Sequence, residues 1–396
     1  MQSTTAVPRS DVDLFSDAVM AAPYPVFQEL RDAGPVVHLD KFDVFAIPRY
    51  QEARHVLGNW ESFSSADVAL NERFNAVLSS SILRADPPWH DTLRDILGAK
   101  LARRALRELE PEIARRAEEI VAPLVAQGSF DAVTDLARRF PVDVVGDLIG
   151  LPKDGREPLL GLIDANFNCF GPDNARTLAA ERQQPELADY VTSLVARQGL
   201  AEGSMGRAVY DAAEAGQIPA EFAPRLIMTY VTAGMDTTVN AVGHAVWLLA
   251  QHPDQWDILR ADPSLVPQAF REVLRCESPV QVFGRTARTD WSVGDVTVPA
   301  GSHLAVLFGS ANRDERKWTN PDQFDIRREN IEHIAFGYGL HGCAGQALAR
   351  IEGEAILHAL LRNVSRIEAG KPVRHFNNVL RGLESLPVTV ASTRGR

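Results

Sequence analysis

Apolar residues recur at helical spacing through most of the chain. From Arg49 to Gly58 and again from Trp89 to Val125 they return every three or four positions among Arg, Glu and Ala, the pattern of amphipathic helices with one buried face. Further helices are predicted at 24–33, 130–150, 155–168, 176–200, 204–215 and 219–251, with breaks at Gly150-Leu151-Pro152 and Gly171-Pro172. β-like runs are fewer. Val36 to Asp40 and Phe42 to Pro48 predict a small sheet near the N-terminus. The Val-, Thr- and Phe-rich stretch 280–310, broken by Gly294 and Pro299-Ala300-Gly301, predicts a second. Residues 311–342 show no period, and so long an irregular stretch in a compact domain is usually functional. A last helix is predicted from Ala347 to Leu361. The expected fold is mainly α with small β-sheets, a single domain over 1–396 with about the first ten residues disordered.

Composition narrows the classes. Hydrophobic residues are 45% of the 396 and charged residues 23%, enough for a core and typical of a folded chain. A formal net charge of −11 argues against nucleic acid as a partner, since phosphate binding needs a basic face. The longest apolar run, Leu226 to Ala250, is interrupted by Asp236, Asn240 and His244, so a helix buried in protein is expected rather than a membrane span. Met1 to Asp11 lacks the apolar core of a signal peptide, and three scattered cysteines make neither a disulfide framework nor a zinc site. A cytoplasmic monomer with free thiols is expected.

One cysteine has a distinctive setting. Phe336-Gly337-Tyr338-Gly339-Leu340-His341-Gly342-Cys343-Ala344-Gly345-Gln346 is a glycine-rich turn feeding a helix. A helix N-terminus offers unpaired N–H groups and the positive end of the dipole to a thiolate, and the glycines allow close backbone approach to a bulky ligand. That suits either a metal ligand or a nucleophile. Cys169 and Cys276 lack such a setting and read as small buried hydrophobes.

The arrangement Phe-x-x-Gly-x-His-x-Cys-x-Gly resembles the cysteine-ligand loop of the cytochromes P450, and the resemblance spans nearly the whole chain. It implies the cytochrome P450 fold and a haem b group bound by the Cys343 thiolate, with Phe336, His341 and Gly345 around it. His90 and Arg94, with Arg285 and His341, match the family's anchors for the haem propionates, and cations suit carboxylates. In Ala233-Gly234-Met235-Asp236-Thr237-Thr238 the family's acid–alcohol pair matches Asp236 and Thr237, implying a proton relay for O–O cleavage. Ala233 and Thr237 share a helix face, and a threonine hydroxyl can bond the carbonyl four residues back. Glu272 and Arg275, at i,i+3, match a pair that locks onto an arginine here represented by Arg328, a structural role. The basic residues Lys100, Arg103, Arg104 and Arg107 read either as a solvated face or as a dock for an acidic electron donor. No flavin or iron–sulfur domain is recognisable, so electrons from NAD(P)H are expected through a separate ferredoxin and ferredoxin reductase.

Within the family, Phe376-Asn377-Asn378-Val379-Leu380-Arg381-Gly382-Leu383-Glu384-Ser385-Leu386-Pro387 is similar to a bacterial branch that oxidises para-substituted benzoates such as 4-methoxybenzoate. This implies a small aromatic substrate, with O2, held by Phe167, Phe170, Val280 and Phe283, with Leu83 and Ala233 nearby and hydroxyls from Ser80 and Thr229. Positions where the branch carries arginines hold Val77 and Met228, leaving Arg73 or Arg225 as compensating cations. Two other readings stay open: oxidation of another scaffold, such as a terpenoid or macrolide intermediate, and a non-catalytic haem-thiolate sensor, against which the presence of Asp236 and Thr237 argues.

Overall fold

The computed structural model describes residues 6–78, 81–156, 158–328 and 332–393. Its centre is the helix Phe222–Gln251, whose 30 residues are apolar on nearly every side because other elements surround it. Several polar residues within it find local partners. Thr232, Thr237, Thr238 and Asn240 each bond a carbonyl three or four residues back.

The helix following the cysteine loop, Gln346–Asn363, packs along both Arg103–Gln127 and Val266–Cys276. Gly353 permits the second contact: a Cβ there would stand 2.1 Å from the Phe270 ring. The amphipathic stretch 89–125 forms two helices, Trp89–Leu101 and Arg103–Gln127, joined at an extended Ala102.

The two expected small sheets merge in large part, only Trp291–Val293 and Val296–Val298 pairing apart. Arg9–Ser10, Val37–Leu39, Val44–Ile47, His303–Leu307, Val282–Ala287 and Phe63–Ser64 make a six-stranded sheet in that order. Phe45 pairs in parallel with Leu304, and Arg285 antiparallel with Leu304. Periodicity marks a strand but carries no information about a partner some 250 residues away, so the two segments looked independent. Arg9 and Ser10, within the stretch expected to be disordered, pair with His38 and Leu39.

Other boundaries also moved. The predicted helix 130–150 begins as the strand Ser129–Asp131, paired with Pro387–Thr389, then a π-helical turn Ala132–Ala137, and only then Arg139–Ile149. Sheet pairing overrides local helical preference there, and the Asp131 side chain caps the turn by accepting from the N–H groups of Val133 and Thr134. The predicted helix 176–200 is split into Ala175–Glu181 and Gln184–Leu194, because Pro185 has no N–H to carry the first helix's ladder onward and suits the first turn of a new one. Two small C-terminal sheets, Val364–Ala369 with Pro387–Ser392 and Val373–Phe376 with Arg381–Ser385, were not among the expected elements.

Residues 311–342 are irregular yet densely bonded. Glu272 and Arg275 are fully buried, and Arg275 forks onto Glu272 through Nε and Nη2, both at 2.8 Å. Its remaining N–H groups go to the carbonyls of Asn312 and Pro321 at 2.9 and 2.7 Å. Arg328 Nε reaches Glu272 Oε1 at 3.0 Å, and its other nitrogens bond the carbonyls of Thr319, Asn320 and Gln323. One carboxylate thus balances two guanidiniums that replace regular backbone pairing across the stretch. Glu272→Ala would leave both cations uncompensated, a loss of about 3–5 kcal/mol. Denaturant unfolding measures it, and a loss under about 1 kcal/mol, typical of an exposed pair, would refute this account.

Candidate functional site

The cysteine loop is shaped by backbone that glycine alone adopts comfortably. Gly337 and Gly339 both have φ of 71°, and a Cβ on Gly339 would stand 2.5 Å from the Leu57 carbonyl oxygen. The loop closes with the Cys343 N–H donating to the Phe336 carbonyl at 2.8 Å. Backbone N–H groups of Gly345 and Gln346 point at the sulfur. Burial nevertheless pushes the thiol up, with those donors, Arg94 and Arg350 only partly opposing it. The helix start thus acts in favour of the thiolate against that burial, and a coordinated cation would complete it. Burial also raises Cys169 and Cys276 to about 12, as expected of inert core thiols.

The expected anchors come together beside this sulfur. Arg94 Nη2 donates to the Gly342 carbonyl at 2.7 Å, and the His90 and His341 rings lie 4.8 Å apart. Arg285 is buried and its Nη1 reaches only the carbonyl of Gly284, at 2.7 Å. Burial lowers Arg285 to about 10, and burial with the charges of Arg285, His90 and Arg94 lowers His341 to about 3. The Nε2 atoms of His90 and His341 are buried without a hydrogen-bond partner. Among the described residues no carboxylate lies within ion-pair distance of Arg94, Arg285 or His341. A donor set this poor in acceptors fits a dianionic ligand. Nor is there, among the described residues, a cluster of three or more His, Cys, Asp or Glu that would chelate a bare ion. Haem satisfies both conditions: Cys343 would bind its iron, and the two arginines and two histidines its propionates.

Opposite the cysteine, Ala233, Gly234, Thr237 and Thr238 of the long helix line the same cavity of about 800 Å³. Thr237 Oγ1 donates to the Ala233 carbonyl at 2.8 Å. Asp236 is absent from this wall. Successive helix residues are about 100° apart, so Asp236 faces the other way, toward the C-terminal hairpin. Its Oδ2 is buried without a hydrogen-bond partner, and burial, assisted by Asp164, pushes it up to about 7 against the charges of His375 and Arg138.

Much of the remaining cavity wall is apolar and aromatic. Leu83, Phe167, Phe170, Thr229, Val280 and Phe283 all line it, and Phe170 meets Phe283 with ring centroids 5.4 Å apart. Phe283 and Arg285 alternate on one strand with Gly284, where a Cβ would strike the Asp67 carbonyl oxygen at 2.5 Å, so one strand face serves both ends of the cavity. The helix Leu159–Asn168 that presents Phe167 is held by Asn377 and Asn378: Asn377 Nδ2 donates to Asp164 Oδ1 at 2.7 Å, and the Asn378 N–H to Asn168 Oδ1 at 3.0 Å. Ser80 lies outside the described residues. Met228, Val77 and Arg225 are at the wall. Arg73 is not; it is held on the surface by Asp173 and Glu181, which corrects its expected availability.

The basic cluster also separates, since Lys100 Nζ donates to the Gly203 carbonyl at 2.7 Å while the charge of Arg103 acts on Arg350, near the cysteine. Glu352 was not among the residues expected at the site. It lines the cavity, is buried, lacks a partner for Oε1, and burial holds it well above the carboxylate range. Its only sequence signal was a lone acid on the buried face of the last helix. No helix of the described residues is long and apolar enough to cross a membrane.

Cys343→His, which replaces the sulfur with nitrogen, should abolish the red-shifted absorption of the reduced carbon monoxide complex while haem content is retained; persistence of that band would mean another residue binds iron. Similarity to known proteins agrees with this site. The cytochrome P450 family profile matches residues 259–379. Cytochrome p450 CYP199A2 of Rhodopseudomonas palustris is 43% identical over 98% of this chain and 95% of its own. The beta-dihydromenaquinone-9 omega-hydroxylase of Mycobacterium tuberculosis is 32% identical over 96% of this chain and 78% of its own. The structure of cytochrome P450 CREJ in complex with (4-ethylphenyl) dihydrogen phosphate superposes with a TM-score of 0.86 at 26% identity, covering 94% of this chain and 98% of that one. With a cysteine loop facing a threonine-bearing helix across one cavity and a relative this similar along nearly its full length, the chain belongs to the cytochrome P450 family and is a haem-thiolate monooxygenase.

Proposed function

We propose that this monooxygenase oxidises a small para-substituted aromatic acid, 4-methoxybenzoate being the type, and that it removes the ether methyl group. The observation that carries the reading is the aromatic clamp: Phe167, Phe170 and Phe283 converge on the wall that continues into Ala233 and Thr237, so a flat ring held there points one end at the cysteine side. CREJ, a structural neighbour, has been seen in complex with (4-ethylphenyl) dihydrogen phosphate, a para-substituted aryl phosphate, which supports a similar substrate shape here. Bound haem supplies activation of dioxygen and transfer of one oxygen atom. Hydroxylation of an aryl methyl ether leaves a hemiacetal that collapses to a phenol and formaldehyde.

The chain's own residues orient and protonate. Thr237 keeps its hydroxyl on the helix side by bonding Ala233, and Asp236, one position back, holds a proton near neutrality. Thr229 commits its hydroxyl proton to the Arg225 carbonyl at 3.0 Å, so the charged contact to a substrate carboxylate falls to the Arg225 guanidinium at the same wall. Electrons come from NAD(P)H through a ferredoxin and its reductase. The opposing observation is that Val77 and Met228 leave the wall apolar, which favours a neutral scaffold; one relative is named as a menaquinone hydroxylase.

A spin-state titration separates the two. The aromatic-acid reading expects 4-methoxybenzoate to shift the haem to high spin and to bind about tenfold tighter than its methyl ester, one charge-assisted contact's worth. Tighter binding of the ester overturns it in favour of the neutral scaffold. Thr237→Ala should divert NADH-derived electrons from formaldehyde to hydrogen peroxide at similar NADH consumption; unchanged coupling removes Thr237 from the relay.

A further inference from the structure

Asp236 faces the hairpin Val373–Phe376/Arg381–Ser385. Asn240, one turn on, donates from Nδ2 to the Asp236 carbonyl at 2.9 Å, and its Oδ1 is so near the hairpin that a Cβ on Gly382 would stand 1.8 Å from it. Gly382 is the register partner of His375. The imidazole is therefore carried on the strand pair that packs against the helix at Asp236. Its Nε2 lies 2.6 Å from Asp164 Oδ1 and its Nδ1 3.1 Å from Glu384 Oε2. Glu384 is exposed and pairs with Arg138 at 3.0 Å. A small cavity of about 40 Å³, enough for one or two waters, also borders His375.

We propose that His375 is the group that resupplies protons to Asp236, linking it to solvent through Glu384; this rests on the reading of Asp236 and Thr237 as a proton relay. A proton taken up at Nδ1 from the Glu384 side makes the ring an imidazolium. Its Nε2 proton passes by way of Asp164 to the Asp236 carboxylate. The neutral ring, left protonated at Nδ1, returns to its starting tautomer by exchange with solvent. One proton crosses and no electron moves.

The charged groups around the pair support such a transfer. Burial opposes the imidazolium, but the hydrogen bond to Asp164 and the charges of Asp164, Asp236 and Glu384 outweigh it and raise His375 above its ordinary value. Asp236, pushed up to about 7, feels Asp164 and Glu384 in one direction and His375 and Arg138 in the other. Raising Asp236 out of the carboxylate range toward that of an imidazole lowers the cost of a transfer between the two. The alternative is a clamp: His375 and Asn377 both bind Asp164, and a purely mechanical role would tie down the helix that carries Phe167.

The ferrous carbon monoxide holoenzyme, which is diamagnetic, separates relay from clamp. The protonated-carboxyl infrared band missing in Asp236→Asn reports Asp236, and imidazole carbon NMR reports His375. In His375→Gln the Asp236 midpoint should rise by about one pH unit, the effect of losing a nearby cation. By reciprocity the His375 midpoint should fall by a similar amount in Asp236→Asn. Product formation from 4-methoxybenzoate in His375→Gln should fall about tenfold or more with an enlarged solvent deuterium isotope effect. Unmoved midpoints overturn the inference, and so do moved midpoints with an unchanged isotope effect. If Asp236→Asn itself leaves product formation unchanged, it is the relay reading of Asp236 that falls. Should His375→Gln fail to fold, the His375 titration in Asp236→Asn still decides whether the two groups are coupled.

Discussion

Arg94, Arg285 and His341 meet beside the Cys343 sulfur with no carboxylate of the described residues in ion-pair reach, and much else in the molecule follows from that unbalanced charge. Burying cations and a thiol together is unfavourable unless something supplies negative charge and a Lewis acid. Haem does both, with propionates at one edge and iron at the centre. The loop glycines, the Glu272–Arg275–Arg328 network behind the loop and the strand bearing Arg285 hold that arrangement in place from three directions. The cofactor's site is thus built at the expense of local electrostatics, and binding completes it.

The long helix divides the remaining chemistry between its faces. A residue step of about 100° puts Thr237 on the cavity and Asp236 toward the hairpin, so adjacent residues serve different environments. Thr237 faces the cavity beside Ala233 and Gly234. Asp236 belongs to a polar layer of Asp164, His375, Glu384 and Arg138 that reaches the surface. The same layer fixes the helix presenting Phe167 through Asn377 and Asn378, which mechanically joins the substrate wall to the proton-bearing face.

On the substrate side the interactions are weaker in kind. Aromatic contacts fix the shape of a ring but not its charge, and the cavity wall combines Val77 and Met228 with charged side chains of both signs, Arg225 on the long helix near Thr229 and Glu181. The cysteine side is consequently organised by charges and hydrogen bonds with definite partners, whereas the aromatic wall offers surfaces whose contributions are small and additive.

What the sequence determined by itself was local or motif-borne. The long helix, the irregular stretch and the turn at Cys343 follow from periodicity and from glycines whose φ values suit few other residues. The residues around the sulfur were recoverable because their spacing within Phe336–Gly345 is fixed by one turn of backbone. Tertiary structure alone decided the rest. It merged two distant β segments into one sheet and began a predicted helix as the strand Ser129–Asp131. It also turned Asp236 toward His375, tied Arg73 to the surface and left Glu352 unpartnered at the cavity. Each depends on which chain segments meet across hundreds of residues, and burial and charge pairing are properties of that meeting rather than of any window of sequence.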